Sequence, residues 1–355
     1  MRERIVFAYA GGVEASSAIQ RLVETCEAEV VTLTLDLGQG QDLEEVRDGA
    51  LASGAVRAHV FDVREAFARD FVLPALQAGA LHEGRDPMAA ALGRSLIAKT
   101  LVETAAIEQA TAVAHGCTGT DRERMDASVR ALNRDIRVIA AVRAGGPRPR
   151  VYANLWGRAY MAANAQIPNR KSQIPSPRPE SRVPSHESHL RAETPNTPAC
   201  VEIAFERGVP AAINGVPMAL TELVESLSVI AGQHGVGRIA VEERVEEIPE
   251  EGDVRGVWLH RVSEAPAAVV LHAAHAALEA SVLAPDLARL KRDRAAEYAR
   301  LVGDGLWFSP AREAIDAFNA VAQERVTGSV LIRLFEGELL SCEAGDLAAA
   351  VVPRT

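Results

Sequence analysis

Aromatic residues are scarce in this sequence, because Phe, Trp and Tyr together make up only 4% of its 355 residues. The hydrophobic core must therefore be built mainly from Ala, Val, Leu and Ile. The hydrophobic fraction of 48% and the charged fraction of 24% are typical of a soluble globular protein. The length predicts one large or two medium-sized domains and is ample for a core.

Cysteines are also few, and they lie far apart. They form no CxxC pair, and no His cluster stands at metal-ligand spacing; the four residues are Cys26, Cys117, Cys200 and Cys342. This pattern indicates neither a disulfide framework nor a zinc site, so no metal-binding residues are predicted. A reduced, cytoplasmic protein fits it best.

Three further features are missing. The sequence has no long basic run and a formal net charge of -10, which argues against nucleic acid as a partner. Its first residues lead directly into a short apolar run and not into a signal peptide. The longest apolar stretch, 265–284, contains His272, His275 and Glu279, so it predicts a buried or amphipathic helix. We therefore expect no membrane association.

Strand-like and helix-like segments alternate over residues 1–146. Strands are predicted at 5–9, 30–35, 58–61, 111–115 and 137–142, and helices at 15–24, from Asp42 to about Ser53, and at 92–109. The alternation predicts an α/β fold with a doubly wound parallel sheet. Ligands bind beyond the carboxyl ends of the strands in such sheets. Two glycine-containing turns are expected at such ends, at residues 10–12 and 116–119.

The composition changes in the second half of the chain. Residues 166–198 contain seven prolines and several serines, which predicts a flexible or disordered insertion. Further on, a strand is predicted at 200–205, helices at 220–234, 265–283, 285–301 and 310–323, and a hairpin at 330–341. We expect a second, α+β domain over 147–345, including the insertion, and a tail at 346–355.

The first glycine turn could bind phosphate. Gly11 and Gly12 allow close backbone approach, and the N–H groups and dipole of the helix that follows favour an anion. Ser16 and Ser17 could add hydroxyl donors. The turn matches neither the Walker motif nor G-x-G-x-x-G. On this motif alone, a plain strand–helix turn explains the residues about equally well.

The residues around this turn, A-Y-A-G-G-V-E-A-S at 8–16, resemble the PP-loop of the argininosuccinate synthases, usually A-Y-S-G-G-L-D-T-S. Other strings match the same family in the same order along nearly the whole chain. They include L-G-Q-G at 37–40, A-H-G-C-T-G at 114–119, N-L-W-G-R at 154–158, H-G-V-G-R-I at 234–239 and G-L-W-F-S-P at 305–310. The sequence is therefore identified as a divergent member of this family.

The resemblance implies a PP-loop domain, similar to the adenine nucleotide α-hydrolases, that binds ATP together with Mg²⁺. It implies a carbon–nitrogen ligase of arginine biosynthesis in the cytoplasm. In that reaction the ureido oxygen of citrulline, or of a related acceptor, is adenylated and pyrophosphate leaves; aspartate then displaces AMP. Positioning and stabilisation of phosphate charge dominate such chemistry, so no catalytic acid or base is predicted.

Site residues follow from the same resemblance. The residues expected to bind ATP are Ala8, Gly11, Gly12, Ser16, Ser17 and Gly116. Thr118 and Asp121 would hold aspartate, Arg124 would face the second substrate, and Glu242 corresponds to the glutamate of V-E-N-R in the citrulline pocket. Judged without the family, Asp121 and Arg124 are better explained as a solvated helix start with an i,i+3 ion pair.

The sequence departs from the family pattern in the PP-loop. Ala10 stands for the usual Ser, Glu14 for Asp and Ala15 for Thr. Two hydroxyl donors are thereby lost. A lost hydrogen bond to a charged group costs about 1.5–3 kcal/mol, or roughly tenfold to a hundredfold in affinity or rate. A phosphate cradle with weaker side-chain support is expected.

The expected citrulline pocket departs further. Asp86 replaces the tyrosine of the family's R-Y-P-L-G-T-S, and Ala90, Ala91 and Ala159 replace hydroxyl residues. Either the acceptor differs or binding is lost, since unpaired polar groups are costly. The alternative function is a catalytically impaired homologue that serves as a nucleotide-binding or protein-interaction module.

The resemblance also allows a homo-oligomer. Members of the family usually continue into a C-terminal arm that helps to build a tetramer. This sequence ends at Thr355, soon after the predicted hairpin.

Overall fold

The computed structural model describes residues 3–141, 150–163, 195–245 and 257–344. In the N-terminal part, five parallel strands form a sheet in the order β3-β2-β1-β4-β5. They are β1 Arg4–Ala8, β2 Glu29–Asp36, β3 Arg57–Asp62, β4 Ala112–His115 and β5 Arg137–Ala140. The predicted parallel sheet is confirmed, with β1 and β4 as neighbours.

Helices cover both faces of this sheet. They are α1 Val13–Cys26, α2 Leu43–Ala52, α3 Arg64–Phe67, α4 Leu73–Gln77, α5 Ala89–Ile107 and α6 Thr120–Leu132. Ile5 and Phe7 of β1 share a buried cluster with residues of α1 and α2. Val6 points to the other face, where the cluster includes Leu92 of α5 and Met125 of α6. The alternation along β1 therefore separates two apolar layers, as a doubly wound fold requires.

The start of α2 agrees with the sequence. Asp42 is its N-cap, and a carboxylate oxygen accepts hydrogen bonds from the backbone N–H groups of Glu44 and Glu45 at 3.0 and 3.1 Å. This pairing satisfies donors that have no partner within the helix. The predicted capped helix is confirmed.

A helical segment between β3 and α5 was not predicted. It runs from α3 through a π-helical turn at Ala68–Val72 into α4. Phe71 in this segment is buried and stacks on Trp307 at 4.9 Å between ring centroids. The turns are short and interrupted by Pro74, so they show little helical periodicity. Packing against the C-terminal half stabilises them.

The second half contains two antiparallel sheets, with the orders β10-β9-β8-β13-β14 and β11-β12-β7-β6. Their strands are β6 Arg150–Asn154, β7 Gly157–Ala163, β8 Ala199–Glu206, β9 Val209–Ile213, β10 Val216–Pro217, β11 Arg238–Val245, β12 Val257–Glu264, β13 Gly328–Phe335 and β14 Glu338–Ala344. The predicted strand at 200–205 and the closing hairpin are confirmed. The strands β6, β7 and β9 to β12 were missed, although β6 with β7, β9 with β10 and β11 with β12 pair as neighbours along the chain.

Four helices accompany these sheets: α7 Leu220–Gln233, α8 Pro266–Val282, α9 Pro285–Gly303 and α10 Pro310–Gln323. All four were predicted, and α8 is the buried helix expected from its apolar stretch. Across the described parts of the chain, every helix is too short or too polar to cross a bilayer.

Two polar residues of α8, His275 and Glu279, take part in a hydrogen-bonded network with α9 and α10. Glu279 contacts the Lys291 ammonium of α9 at 2.9 Å and accepts a hydrogen bond from the Gln323 amide of α10 at 2.6 Å. The imidazole of His275 is 2.9 Å from the same Gln323 side chain. Because each of these groups has a partner, three helices pack together despite their buried charges.

Several predictions fall outside the described residues. The domain boundary near 146, most of the insertion at 166–198 and the tail at 346–355 belong to them. They stay predictions.

Candidate nucleotide and substrate site

The turn after β1 has the geometry of a phosphate cradle. Gly11 and Gly12 adopt φ values of +82° and +89°, which favour glycine. Gly12 is the N-cap of α1, and a Cβ added there would meet no protein atom within 4 Å. Open space thus faces the first turn of α1, where backbone N–H groups have no partner within the helix. This arrangement suits a phosphate.

The hydroxyl groups of Ser16 and Ser17 near this turn have different hydrogen-bond partners. Ser16 Oγ lies 2.9 Å from the hydroxyl of the buried Tyr9. Ser17 Oγ donates to the carbonyl of Val13 at 2.9 Å and is therefore bonded within α1. The Gln41 amide donates to the carbonyl of Ala10 at 3.0 Å and closes the turn from the other side. Ser16 is thus the hydroxyl whose orientation is set by a second side chain.

The second glycine turn lies next to the first. It follows β4, which pairs with β1, so Gly116 and Thr118 lie at the same edge of the sheet as Gly12. Chain order reverses between β1 and β4, since β2 lies on the other side of β1. This is the position at which ligands bind in doubly wound sheets. The structure therefore brings together the two turns that the sequence predicted.

His115 at the end of β4 holds this second turn. Its Nδ1 accepts the backbone N–H of Cys117 at 3.2 Å, and its Nε2 lies 2.9 Å from a carboxylate oxygen of Asp126. An acceptor at Nδ1 requires the proton on Nε2, so Nε2 donates to Asp126. Burial lowers the pKa of His115, while the Asp126 carboxylate opposes the shift. A neutral imidazole therefore fixes the start of the turn.

Asp121 is the centre of a charged cluster at the start of α6. One carboxylate oxygen accepts from Arg94 Nη2 at 2.7 Å and from Arg124 Nη1 at 3.3 Å. The other oxygen accepts from the hydroxyl of Tyr152 at 3.3 Å. The i,i+3 ion pair expected from the residues alone is present. Arg94 and Tyr152 were not predicted; an arginine within the apolar pattern of α5 was the available signal.

The second half of the chain meets this edge of the sheet through the turn between β6 and β7. The backbone N–H of Leu155 donates to the carbonyl of Leu37, and an added Cβ on Gly38 would lie 3.2 Å from the Leu155 nitrogen. The indole N–H of Trp156 donates to the carbonyl of Pro87 at 3.2 Å. Two of the family-like strings therefore dock onto each other beside the predicted site.

Another two of those strings meet in an ion-pair network. Arg158 contacts one carboxylate oxygen of Glu264 at 2.5 Å, and Arg238 contacts the other at 3.0 Å. Glu264 is buried. The network links β7, β11 and β12, which supports a role in holding the sheet together.

The expected citrulline pocket is only partly described. Asp86 is buried, and a carboxylate oxygen accepts the backbone N–H of Met88 at 2.9 Å, so this side chain takes part in the turn before α5. Ala159 pairs with the buried Ser263 across β7 and β12. Glu242 lies on β11 opposite His260, and its side chain is outside the described residues. Its contact with substrate stays a prediction.

Comparison with known proteins gives two family models that together span nearly the whole chain. The arginosuccinate synthase N-terminal HUP domain matches residues 4–164, and the arginosuccinate synthase C-terminal domain matches residues 153–343. This chain belongs to the argininosuccinate synthase family. The family assignment confirms the predicted class, an ATP-using carbon–nitrogen ligase, and the matching families do not support the alternative of an interaction module.

Individual relatives of the family agree. The argininosuccinate synthase of Synechococcus elongatus is 40% identical over 360 residues, covering 94% of this chain and 86% of the relative. That of Symbiobacterium thermophilum is 41% identical over 362 residues, with 95% and 86% covered. That of Bacillus thuringiensis is 39% identical over 365 residues, with 96% and 86% covered.

Proposed function

We propose that this member of the argininosuccinate synthase family condenses citrulline with aspartate and converts ATP to AMP and pyrophosphate. The ureido oxygen of citrulline attacks the α-phosphorus of ATP, and pyrophosphate leaves. The amine of aspartate then attacks the activated ureido carbon and displaces AMP, which yields argininosuccinate. The reaction belongs to arginine biosynthesis, and we expect it to occur in the cytoplasm.

One observation carries this proposal. The open glycine turn before α1 lies at the same sheet edge as the turn that leads into the Asp121 cluster. A phosphate group and an amino acid could therefore be held side by side. Such juxtaposition is the main requirement of the reaction, because bound reactants with correct orientation need little acid–base assistance.

The roles proposed for individual residues rest on the family resemblance. The backbone around Ala8, Gly11, Gly12 and Gly116 and the hydroxyl of Ser16 would contact ATP, with Ser17 supporting α1. Thr118 and Asp121 would hold aspartate, and Arg124 and Glu242 would contact the acceptor.

Magnesium and self-association complete the proposal. Mg²⁺ would be held mostly by the phosphates of ATP. The part of the chain that the structure describes has no group of three or more His, Cys, Asp or Glu residues suited to a metal. A homo-oligomer remains part of the proposal.

Pyrophosphate release tests the function directly. The full chain would be incubated with ATP, Mg²⁺, aspartate and citrulline, and reactions that omit one amino acid would serve as controls. We expect release that depends on citrulline and argininosuccinate that depends on both amino acids. ATP binding without turnover on citrulline or on related ureido compounds would refute the ligase proposal.

The altered PP-loop allows a second test. Restoring the family residues with Ala10→Ser, Glu14→Asp and Ala15→Thr adds two hydroxyl groups near the expected phosphates. We expect roughly tenfold to hundredfold tighter ATP binding or faster turnover if one further hydrogen bond to phosphate forms. No gain in either would show that these hydroxyls do not reach the phosphates in this protein.

A further inference from the structure

An arginine is buried within the apolar helix α5. The side chain of Arg94 is 9% exposed, and its neighbours on the helix include the buried Leu92 and Leu96. A buried guanidinium is costly unless it is paired and hydrogen-bonded. Its Nη2 donates to a carboxylate oxygen of Asp121 at 2.7 Å, which is the shortest contact within the Asp121 cluster.

The cluster extends from the protein interior towards solvent. Side-chain exposure rises from 9% at Arg94 to 19% at Asp121 and 36% at Arg124. Asp121 lies between the two guanidinium groups, because the same carboxylate oxygen contacts both. Arg94 therefore holds Asp121 from the inside, and Asp121 in turn contacts the outer arginine.

Tyr152 adds a neutral contact from the second half of the chain. Its hydroxyl donates to the other oxygen of Asp121 at 3.3 Å. The carboxylate is thus held from α5, from α6 and from β6. Removing Tyr152 would take away one hydrogen bond but would leave the charge of the cluster unchanged.

The net charge of the Asp121 cluster indicates that Arg94 does more than fill space in the core. Two guanidinium groups and one carboxylate carry a net charge of +1. Without Arg94, Asp121 and Arg124 would form a neutral pair, and the outer guanidinium would be neutralised by its neighbour. With Arg94 in place, Arg124 keeps a positive charge for an anionic group.

We propose that Arg94 is a positioning residue that holds Asp121 and leaves Arg124 available to a substrate carboxylate. This inference rests on the proposed function, in which Asp121 and Arg124 contact the amino-acid substrates. Because the Arg94 side chain is only 9% exposed and is paired with Asp121, we assign it no direct contact with substrate or nucleotide. Its effect should therefore be seen in the binding of the amino acids and not in the binding of ATP.

Steady-state pyrophosphate release by the full chain tests this inference with Arg94→Met and Arg94→Lys. Met removes the charge and keeps much of the volume, whereas Lys keeps the charge and loses the planar fork. We expect R94M to raise the KM for citrulline and aspartate by about 10- to 100-fold, the equivalent of one charged hydrogen bond. The KM for ATP should stay within about twofold. R94K should show a smaller rise in the amino-acid KM values.

A matched control is Arg300→Met. Arg300 is an exposed arginine on α9 that also contacts carboxylates, those of Glu297 and Asp304. This variant should keep all wild-type kinetic constants. Thermal unfolding of each variant would report whether it folds.

The outcomes separate the two claims. A wild-type protein that releases no pyrophosphate overturns the proposed function, and this inference with it. An active wild type with unchanged amino-acid KM values in R94M overturns the inference alone. A parallel rise in the KM for ATP also overturns it, since that result indicates general distortion. If R94M does not fold, R94K decides: unchanged amino-acid KM values in that variant refute the role of Arg94.

Discussion

Replacing Gly12 by alanine should abolish most ATP affinity while the fold survives. Gly12 combines φ +89° with ψ 157°, a backbone conformation that residues with a side chain rarely adopt. Strain of this kind costs about 1–3 kcal/mol of folding free energy. An added Cβ meets no protein atom within 4 Å, so a steric clash within the protein adds nothing to this cost.

The larger effect is expected on the ligand. The added methyl group would project into the open space in front of α1, where a phosphate would approach the backbone. Loss of one hydrogen bond to a charged group costs about 1.5–3 kcal/mol. The Kd for ATP should therefore rise roughly tenfold to a hundredfold for each bond lost. Isothermal titration calorimetry with ATP and Mg²⁺ measures this change, and urea unfolding measures the loss of stability.

Gly215→Ala is a suitable control. Gly215 also has a positive φ, +75°, and open space where a Cβ would be, but it lies in the turn between β9 and β10. This variant should lose about 1 kcal/mol of stability through the same kind of strain and keep wild-type ATP affinity. A folded Gly12→Ala protein that binds ATP as tightly as wild type would refute the phosphate-cradle assignment.

Three further changes probe other parts of the structure. Tyr9→Phe removes the hydroxyl that orients Ser16, so ATP binding should weaken by about two- to tenfold, and it should not weaken further in a Ser16→Ala background; calorimetry on the double-mutant cycle checks this. Asp42→Ala removes the cap of α2 and should lower the free energy of unfolding by about 0.5–2 kcal/mol in urea titrations, and an unchanged midpoint would contradict the cap. Burial lowers the pKa of His272 from 6.5 to about 3. The unfolded chain therefore takes up the proton first, so this contribution to stability is complete above about pH 6.5 and is lost as the pH falls towards 3. The loss should reach about 1.4 kcal/mol per pH unit in urea unfolding, and His272→Leu should flatten that slope.

The N-terminal fold could be predicted from the sequence, because the residues that define each strand or helix locally are also the ones that the folded structure buries or uses as caps. Apolar runs such as that of β1 are buried on both faces of a parallel sheet, and Asp42 caps its helix through its own neighbours. The phosphate turn was equally local, since Gly11 and Gly12 are needed for the backbone conformation itself.

Six strands of the second half, β6, β7 and β9 to β12, were not predicted in this way. β12 pairs with β11 and also with β7, which lies much earlier in the chain, and the helical segment around Phe71 packs against Trp307 from the C-terminal half. Such contacts leave little trace in a short stretch of sequence, because pairing and packing contribute more free energy than local propensity.

What the sequence by itself determined is the family, the α/β architecture and the two glycine turns, because backbone conformation and hydrophobic period are properties of neighbouring residues. The tertiary structure alone decided which side chains from other elements reach Asp121. Arg94 and Tyr152 come from α5 and β6, and only the folded chain brings their donors to one carboxylate. Charge balance in the site is therefore a property of the packed elements, since electrostatic interactions depend on distance and burial and not on position along the chain.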